Sequence, residues 1–338
     1  MQDERLALIA YFSAHLRKFA LCDATGKIRH SLSSSAIEIE RPEEALEFYL
    51  GQIGCDKPPQ TAIIAVSAPV IEGGDLYRIR SNLYPLSRRR LQERFGFERL
   101  IVKNSFSMNA YAFPYLAKGD FYPLGEFVMP PAVPPDVPRV LIGLGEGLGT
   151  AILLGEPGAA ATTVIPCEGG QMNLLVFRES EHANVVKYLV NEYGARNMED
   201  VLCSHGIENI YSALCQIANR PKRLMRFLDI IKAALQGDEE ARHAVNIFFE
   251  ISGIFAGNMA LMTGALGGVY FINSSGIMYS YEFLEIINSS GFRRCFELVQ
   301  NAGQYLKHVP TYAYAAEGCI FIGLSHFAAS VLRGEIEI

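Results

Sequence analysis

No two cysteines of this chain stand in a Cys-x-x-Cys spacing, and the seven present, at 22, 55, 167, 203, 215, 295 and 319, are odd in number and scattered. That pattern excludes a disulfide framework and the common zinc cages; thiols kept reduced in a cytoplasm are the simple reading. Uninterrupted apolar runs of about 18 residues, the length that spans a bilayer, are missing. The opening MQDERLALIAYF puts charges ahead of a short apolar run and carries no cleavage site, so neither a membrane anchor nor a leader is expected. Concentrated positive charge is missing too. Lysine and arginine total 30 against 36 acidic residues, a net charge of -6, and the only tight basic cluster is Arg88-Arg89-Arg90. This argues against a nucleic-acid partner. The arginine triplet reads as a solvated helix face, with a phosphate-binding patch as the alternative. There is no short-period repeat and no low-complexity segment beyond one proline-rich stretch.

What is present is globular. Half of the 338 residues are hydrophobic and 20% are charged, enough for two ordinary domains or one large one. Alternation and turn residues predict strands over 6–14, 18–23 and 28–34 and a helix over 42–53, with Glu43 and Glu44 in its first turn. The continuously apolar 61–67 reads as a strand buried on both faces. A helix follows from Ser87, a good N-cap, then a strand over 99–103 and a helix over 105–116. Residues 121–138 hold six prolines and are expected to be a loop or linker, because proline blocks helix interiors and central strands. Beyond them the alternation restarts with strands over 140–144 and 149–154. A mostly helical region covers 182–264, with strands at 268–273 and 311–315 and a closing helix at 318–332. The expectation is a duplicated α/β architecture. Its smaller domain comprises 1–116 with the C-terminal helix 318–338, and its larger one 117–317.

Between the strands at 140–144 and 149–154 stands Gly143-Leu144-Gly145-Glu146-Gly147-Leu148-Gly149. Glycines let backbone N–H groups approach a phosphate. No helix follows as in a dinucleotide fingerprint, and no Gly-Lys-Ser/Thr as in a Walker A loop. A phosphate cradle and a tight structural hairpin both remain open. Glu146 weighs against the cradle, since a carboxylate about 4 Å from a phosphate charge costs roughly 4 kcal/mol at an effective dielectric near 20.

Several segments, in order from about residue 60 to 325, resemble the bacterial glucokinase family. Ile101-Val102-Lys103-Asn104-Ser105-Phe106 resembles the family's strand ending in Asn-Asp-Phe, and the Gly143–149 loop its Gly-x-Gly-Thr-Gly-Leu-Gly. Pro166-Cys167-Glu168-Gly169-Gly170-Gln171 resembles Pro-Gly-Glu-Gly-Gly-His. Glu199-Asp200-Val201-Leu202-Cys203-Ser204-His205-Gly206 resembles Glu-Arg-Val-Leu-Ser-Gly-x-Gly. The resemblance implies two actin-like (ribonuclease H-like) α/β domains with a ligand cleft between them. It also implies transfer of the ATP γ-phosphoryl group to glucose with Mg²⁺, and the family's usual homodimer. By position, Asn104 would donate to a glucose hydroxyl, and Glu168 and Glu199 would accept from others. Gln171 would stand in for the family's histidine, and Gly143, Gly145, Glu146, Gly147 and Gly149 would face the nucleotide. Asn104 reads equally as a helix cap, Glu168 as a surface turn and Glu199 as a helix start.

Other positions depart from the family. Its catalytic aspartate falls at Ser105, which has no pKa near neutrality, and losing a general base costs about 10²–10⁴ in rate. Its first phosphate loop, Asp-x-Gly-Gly-Thr-Asn, falls at Tyr11-Phe12-Ser13-Ala14-His15-Leu16, without carboxylate or glycine pair. Asn273-Ser274-Ser275-Gly276 stands where a Gly-Gly pair is expected near the adenosine. Three readings follow. One is a catalytically impaired hexose- or hexose-phosphate-binding protein that signals to a protein partner. Another is an active kinase with relocated groups, and the last an interaction protein without small ligand.

Overall fold

The computed structural model describes residues 5–71, 73–80, 82–126, 134–155, 162–177, 180–221, 224–272, 281–314 and 318–336. The chain runs β1 (Leu6–Phe12), β2 (Leu16–Asp23), β3 (Ile28–Ser35), α1 (Pro42–Gln52), β4 (Thr61–Val66), β5 (Leu76–Tyr77), β6 (Leu86–Ser87), α2 (Arg88–Phe95), β7 (Arg99–Asn104) and α3 (Ser105–Ala112). It continues with β8 (Phe121–Pro123), β9 (Arg139–Leu144), β10 (Leu148–Leu154), β11 (Thr163–Cys167), α4 (Ser180–Tyr193), α5 (Ser204–Ile217), α6 (Phe227–Leu235) and α7 (Glu239–Thr263). Last come β12 (Val269–Ile272), α8 (Tyr281–Ser289), α9 (Phe292–Phe296), α10 (Gly303–Lys307), β13 (Thr311–Tyr314) and α11 (Cys319–Arg333). Two compact units result: Met1–Leu116 with Pro157–Val164 and Gly318–Ile338, and Ala117–Glu156 with Ile165–Glu317.

The first unit holds a five-stranded sheet of order β3-β2-β1-β4-β7, in which β1, β4 and β7 are parallel and β2 is antiparallel to β1. Strands β1 and β4 are almost wholly apolar because both faces are covered. The period of two sorts their side chains. Leu8, Ala10, Ile64 and Val66 pack on the α1 and α2 side, while Ile9, Ile63 and Ala65 pack on the side of α11. The Ser87 hydroxyl accepts the Arg90 N–H and caps α2. Of the arginine triplet, Arg90 lies 2.9 Å from the Glu43 carboxylate on α1, so its charge is already matched.

The second unit holds a six-stranded sheet of order β11-β10-β9-β12-β13-β8, with β9, β12 and β13 parallel. Helix α7 runs through its core. By length and composition α7 could cross a membrane, but 67% of its apolar stretch is buried inside the protein, so it is a core helix here. None of the seven cysteines forms a disulfide.

The structure departs from the sequence expectation most clearly at these points. Strand β1 stops at Phe12 and β2 already starts at Leu16, because Ser13 closes a tight turn: its N–H donates to the Leu16 carbonyl at 2.9 Å. Helix α3 ends at Ala112 and tightens into a 3₁₀ turn over Phe113–Tyr115, since Pro114 cannot continue an α-helical ladder. The proline-rich 121–138 is not wholly loop. Phe121–Pro123 forms β8, antiparallel to β13, at a sheet edge where a missing N–H costs no ladder bond; residues 127–133 lie outside the described set. Glu199 does not start a helix but sits in the turn before α5.

Candidate functional site

In the first unit the carboxyl ends of the parallel strands converge, the usual place for ligand groups in such sheets. Phe12 of β1 pairs with Val66 of β4, and Val66 with Asn104 of β7, so the residues beside these positions are neighbours. There the Tyr11 hydroxyl lies 3.2 Å from Ser67 Oγ, and Ser67 Oγ lies 3.1 Å from Ser105 Oγ. Ser105 is buried. Asn104 caps α3: its Oδ1 accepts the N–H groups of Phe106 at 2.8 Å and Ser107 at 3.3 Å, and its Nδ2 donates to the Ala68 carbonyl. One amide N–H of Asn104 is left for a ligand. At the β1–β2 turn, Ser13 Oγ accepts the N–H groups of His15 and Leu16 and donates to the Leu16 carbonyl. The Ser13 hydroxyl therefore holds two N–H groups of the turn, while Asn82 Nδ2 donates to the Ser13 carbonyl from outside it.

In the second unit β9 and β10 form a hairpin in which Gly143 pairs with Gly149. Gly145 N–H donates to the Gly147 carbonyl at 3.0 Å, and Leu148 N–H donates to Glu199 Oε2 at 2.9 Å. Glu199 lies so close that a Cβ on Gly147 would meet its Oε2 at 2.6 Å and push the carboxylate aside. The turn carrying Glu168 and Gln171 is held by Thr150 of β10. Its hydroxyl accepts Gly169 N–H at 2.7 Å and donates to the Cys167 carbonyl. The two segments join through Glu199 N–H, which donates to the Gly170 carbonyl at 2.8 Å. Gln171 Nε2 then donates to Glu199 Oε1 at 3.2 Å. Glu168 is exposed as a residue, yet loss of water around its carboxyl, and next the Glu199 charge, hold its pKa above the usual glutamate value. Two carboxylates and one amide thus share a single corner of the second unit, while Asn104 and Ser105 belong to the first.

The family model described as Glucokinase matches residues 14–331. The chain belongs to the glucokinase family. A glucokinase of Pseudomonas paraeruginosa is 32% identical over 314 residues, covering 92% of this chain and 89% of that one. Among solved structures, the glucokinase of Balamuthia mandrillaris in complex with glucose superposes with a TM-score of 0.78 at 16% identity, covering 96% of this chain and 94% of that one. A ROK family glucokinase of Streptomyces griseus in complex with glucose and AMPPNP gives 0.62 at 16% identity, covering 96% and 99%. At that identity the likeness shows the fold, which is the sugar-kinase pairing of actin-like α/β domains.

A solved relative of the family binds an ATP analogue, so ATP with Mg²⁺ is the expectation for a glucokinase-family chain. Mg²⁺ favours carboxylate and phosphate oxygens. The Tyr11–Ser67–Ser105 cluster offers neutral hydroxyls. At the β1–β2 turn the N–H groups of His15 and Leu16 are taken by Ser13 Oγ, and at the β9–β10 hairpin the Leu148 N–H is taken by a carboxylate. Asn273 to Gly276 lie outside the described residues. Ser67, Thr150 and Asn197 enter the site only through the fold. Asn197 alone has a sequence signal: in Asn197-Met198-Glu199-Asp200 its Oδ1 accepts the Asp200 N–H at 3.0 Å, a local asparagine turn.

Proposed function

We propose that this chain is a hexose-binding member of the glucokinase family that does not transfer phosphate. The observation that carries the reading is the neutral Tyr11–Ser67–Ser105 hydroxyl chain where the family resemblance expects a metal carboxylate and a general base. Serine takes no proton near neutrality, and phosphoryl transfer rests almost entirely on positioning and charge neutralisation. Glu168, Gln171 and Glu199 support the sugar half of the reading. They supply two anionic acceptors and an amide, and a sugar hydroxyl buried without a partner costs about 1–3 kcal/mol. Within this reading the chain works in the cytoplasm as a dimer and passes its sugar-bound state to a protein partner. Calorimetric titration tests it: glucose should give binding heat, and Mg-ATP at millimolar concentration none. Robust ATP-dependent glucose phosphorylation by the pure protein would overturn it.

The raised pKa of Glu168 sets a pH dependence. Its folded value lies above its unfolded one, so the ionised carboxyl costs stability at neutral pH, and that cost is relieved as pH falls through the folded value. Sugar binding should move the other way, because protonation removes an anionic acceptor. Glucose affinity is expected to weaken on acidification starting above pH 4.5, the ordinary glutamate value, and Glu168→Gln should flatten that slope. An unchanged slope in the variant would assign the dependence elsewhere.

A further inference from the structure

The hydrogen bonds around Gln171 form a chain whose polarity is set at one end by a group that can only donate. The Asp200 backbone N–H donates to Asn197 Oδ1 at 3.0 Å. That fixes the carbonyl side of the Asn197 amide, so its Nδ2 faces the other way, where it donates to Gln171 Oε1 at 3.0 Å. With Oε1 committed, Gln171 Nε2 points to Glu199 Oε1 and donates at 3.2 Å. The other Glu199 oxygen accepts the Leu148 N–H. Asn197 itself is anchored twice more. Its N–H donates to Asp200 Oδ2 at 3.3 Å, and it forms a β-bridge with Asn173.

The opposite orientation of the Gln171 amide would set its carbonyl oxygen against the Glu199 carboxylate, two acceptors face to face. Without Asn197 the Glu199 carboxylate alone would orient the amide, and an exposed side chain held at one end only is less firmly placed. Once locked, the amide keeps one N–H and one carbonyl lone pair for a ligand, which matches a hydroxyl that accepts from the first and donates to the second. Unlike an imidazole, it does so in one charge state at every physiological pH.

We propose that Asn197 is a positioning residue for the sugar site: it orients the Gln171 amide so that Gln171 serves Glu199 and the ligand hydroxyl together. This rests on the hexose-binding reading above. The test is a double-mutant cycle on the full chain, with glucose titrated by calorimetry into wild type, Asn197→Ala, Gln171→Ala and the double variant. Asn197→Ala should weaken glucose binding by about fivefold to tenfold. In the Gln171→Ala background it should add less than about twofold, because the group it acts through is gone. Asn197→Asp should lose more than Asn197→Ala, since the new oxygen attracts Nε2 and turns the Gln171 carbonyl towards Glu199. Melting of the ligand-free chain separates positioning from structure: a general structural role would weaken binding equally in both backgrounds and lower the melting temperature to match. Equal losses in the two backgrounds, or no loss in the first, would overturn the assignment while leaving the sugar site standing. No glucose binding by wild type would overturn both together.

Discussion

Ser105→Asp is expected to leave ATP-dependent glucose phosphorylation at background. The substitution places a carboxylate beside Ser67 Oγ, 3.1 Å from the present serine hydroxyl, and so restores a base. A general base contributes about 10²–10⁴ in rate, but only to a phosphoryl group already in line. The β1–β2 turn still closes on itself through Ser13, and Tyr11 still presents a phenol. Misplacing a reacting group by 1 Å alone costs about 10²-fold, so the variant should stay at least about 10³-fold below an active family kinase. The measurement is a coupled assay at saturating glucose with millimolar Mg-ATP, with glucose binding as the control for folding. The informative companion adds Tyr11→Asp, Ser13→Gly, Ala14→Gly, His15→Thr and Leu16→Asn. Turnover that appears only in the combined variant would locate the deficit in the turn; clear turnover from Ser105→Asp alone would show that nucleotide and metal are positioned without it.

The second large effect concerns the helix that carries Ser105. Helix α3 begins at Ser105 and packs against α11 with its backbone in contact at Gly323. A Cβ there would collide with the Met108 carbonyl oxygen, lie 2.7 Å from its carbon and 3.1 Å from Ala112 N. Those are main-chain atoms, which move only if the helices part. Gly323→Ala should therefore destabilise the first unit by about 3 kcal/mol, in the upper range for overpacking. Gly51→Ala is the contrast. It lies in α1 with nothing within 4 Å of the added carbon, and should stabilise by roughly 0.5–1 kcal/mol through helix propensity. Urea midpoints of the two variants check both signs, and equal midpoints would show that α3 and α11 yield more easily than their backbone contact implies.

The legible part of this protein was local or periodic. A continuous apolar run marked β4, because a strand covered on both faces needs no polar alternation. Ser87 announced α2 because a cap acts over three residues. Family motifs placed Asn104, Glu168, Gln171 and Glu199 in order along the chain. Where the sequence left Asn104 between helix cap and sugar donor, the fold shows the cap geometry and one remaining N–H. Proline content misled at Pro123, since a single sequence does not say which strand will lie at an edge.

Sequence by itself determined the family, most of the strand and helix pattern and that Tyr11 and Ser105 carry hydroxyls rather than carboxylates, since residue type carries proton chemistry wherever the residue lies. Only the tertiary structure decided what stands in their place. Tyr11, Ser67 and Ser105 are separated by 56 and 38 residues along the chain and meet because parallel strands align their carboxyl ends. Asn197 reaches Gln171 across 26 residues, and Glu199 reaches Leu148 across 51. A hydrogen bond needs its partners within about 3 Å, and only the packed sheet and its turns bring groups so distant in sequence to that range.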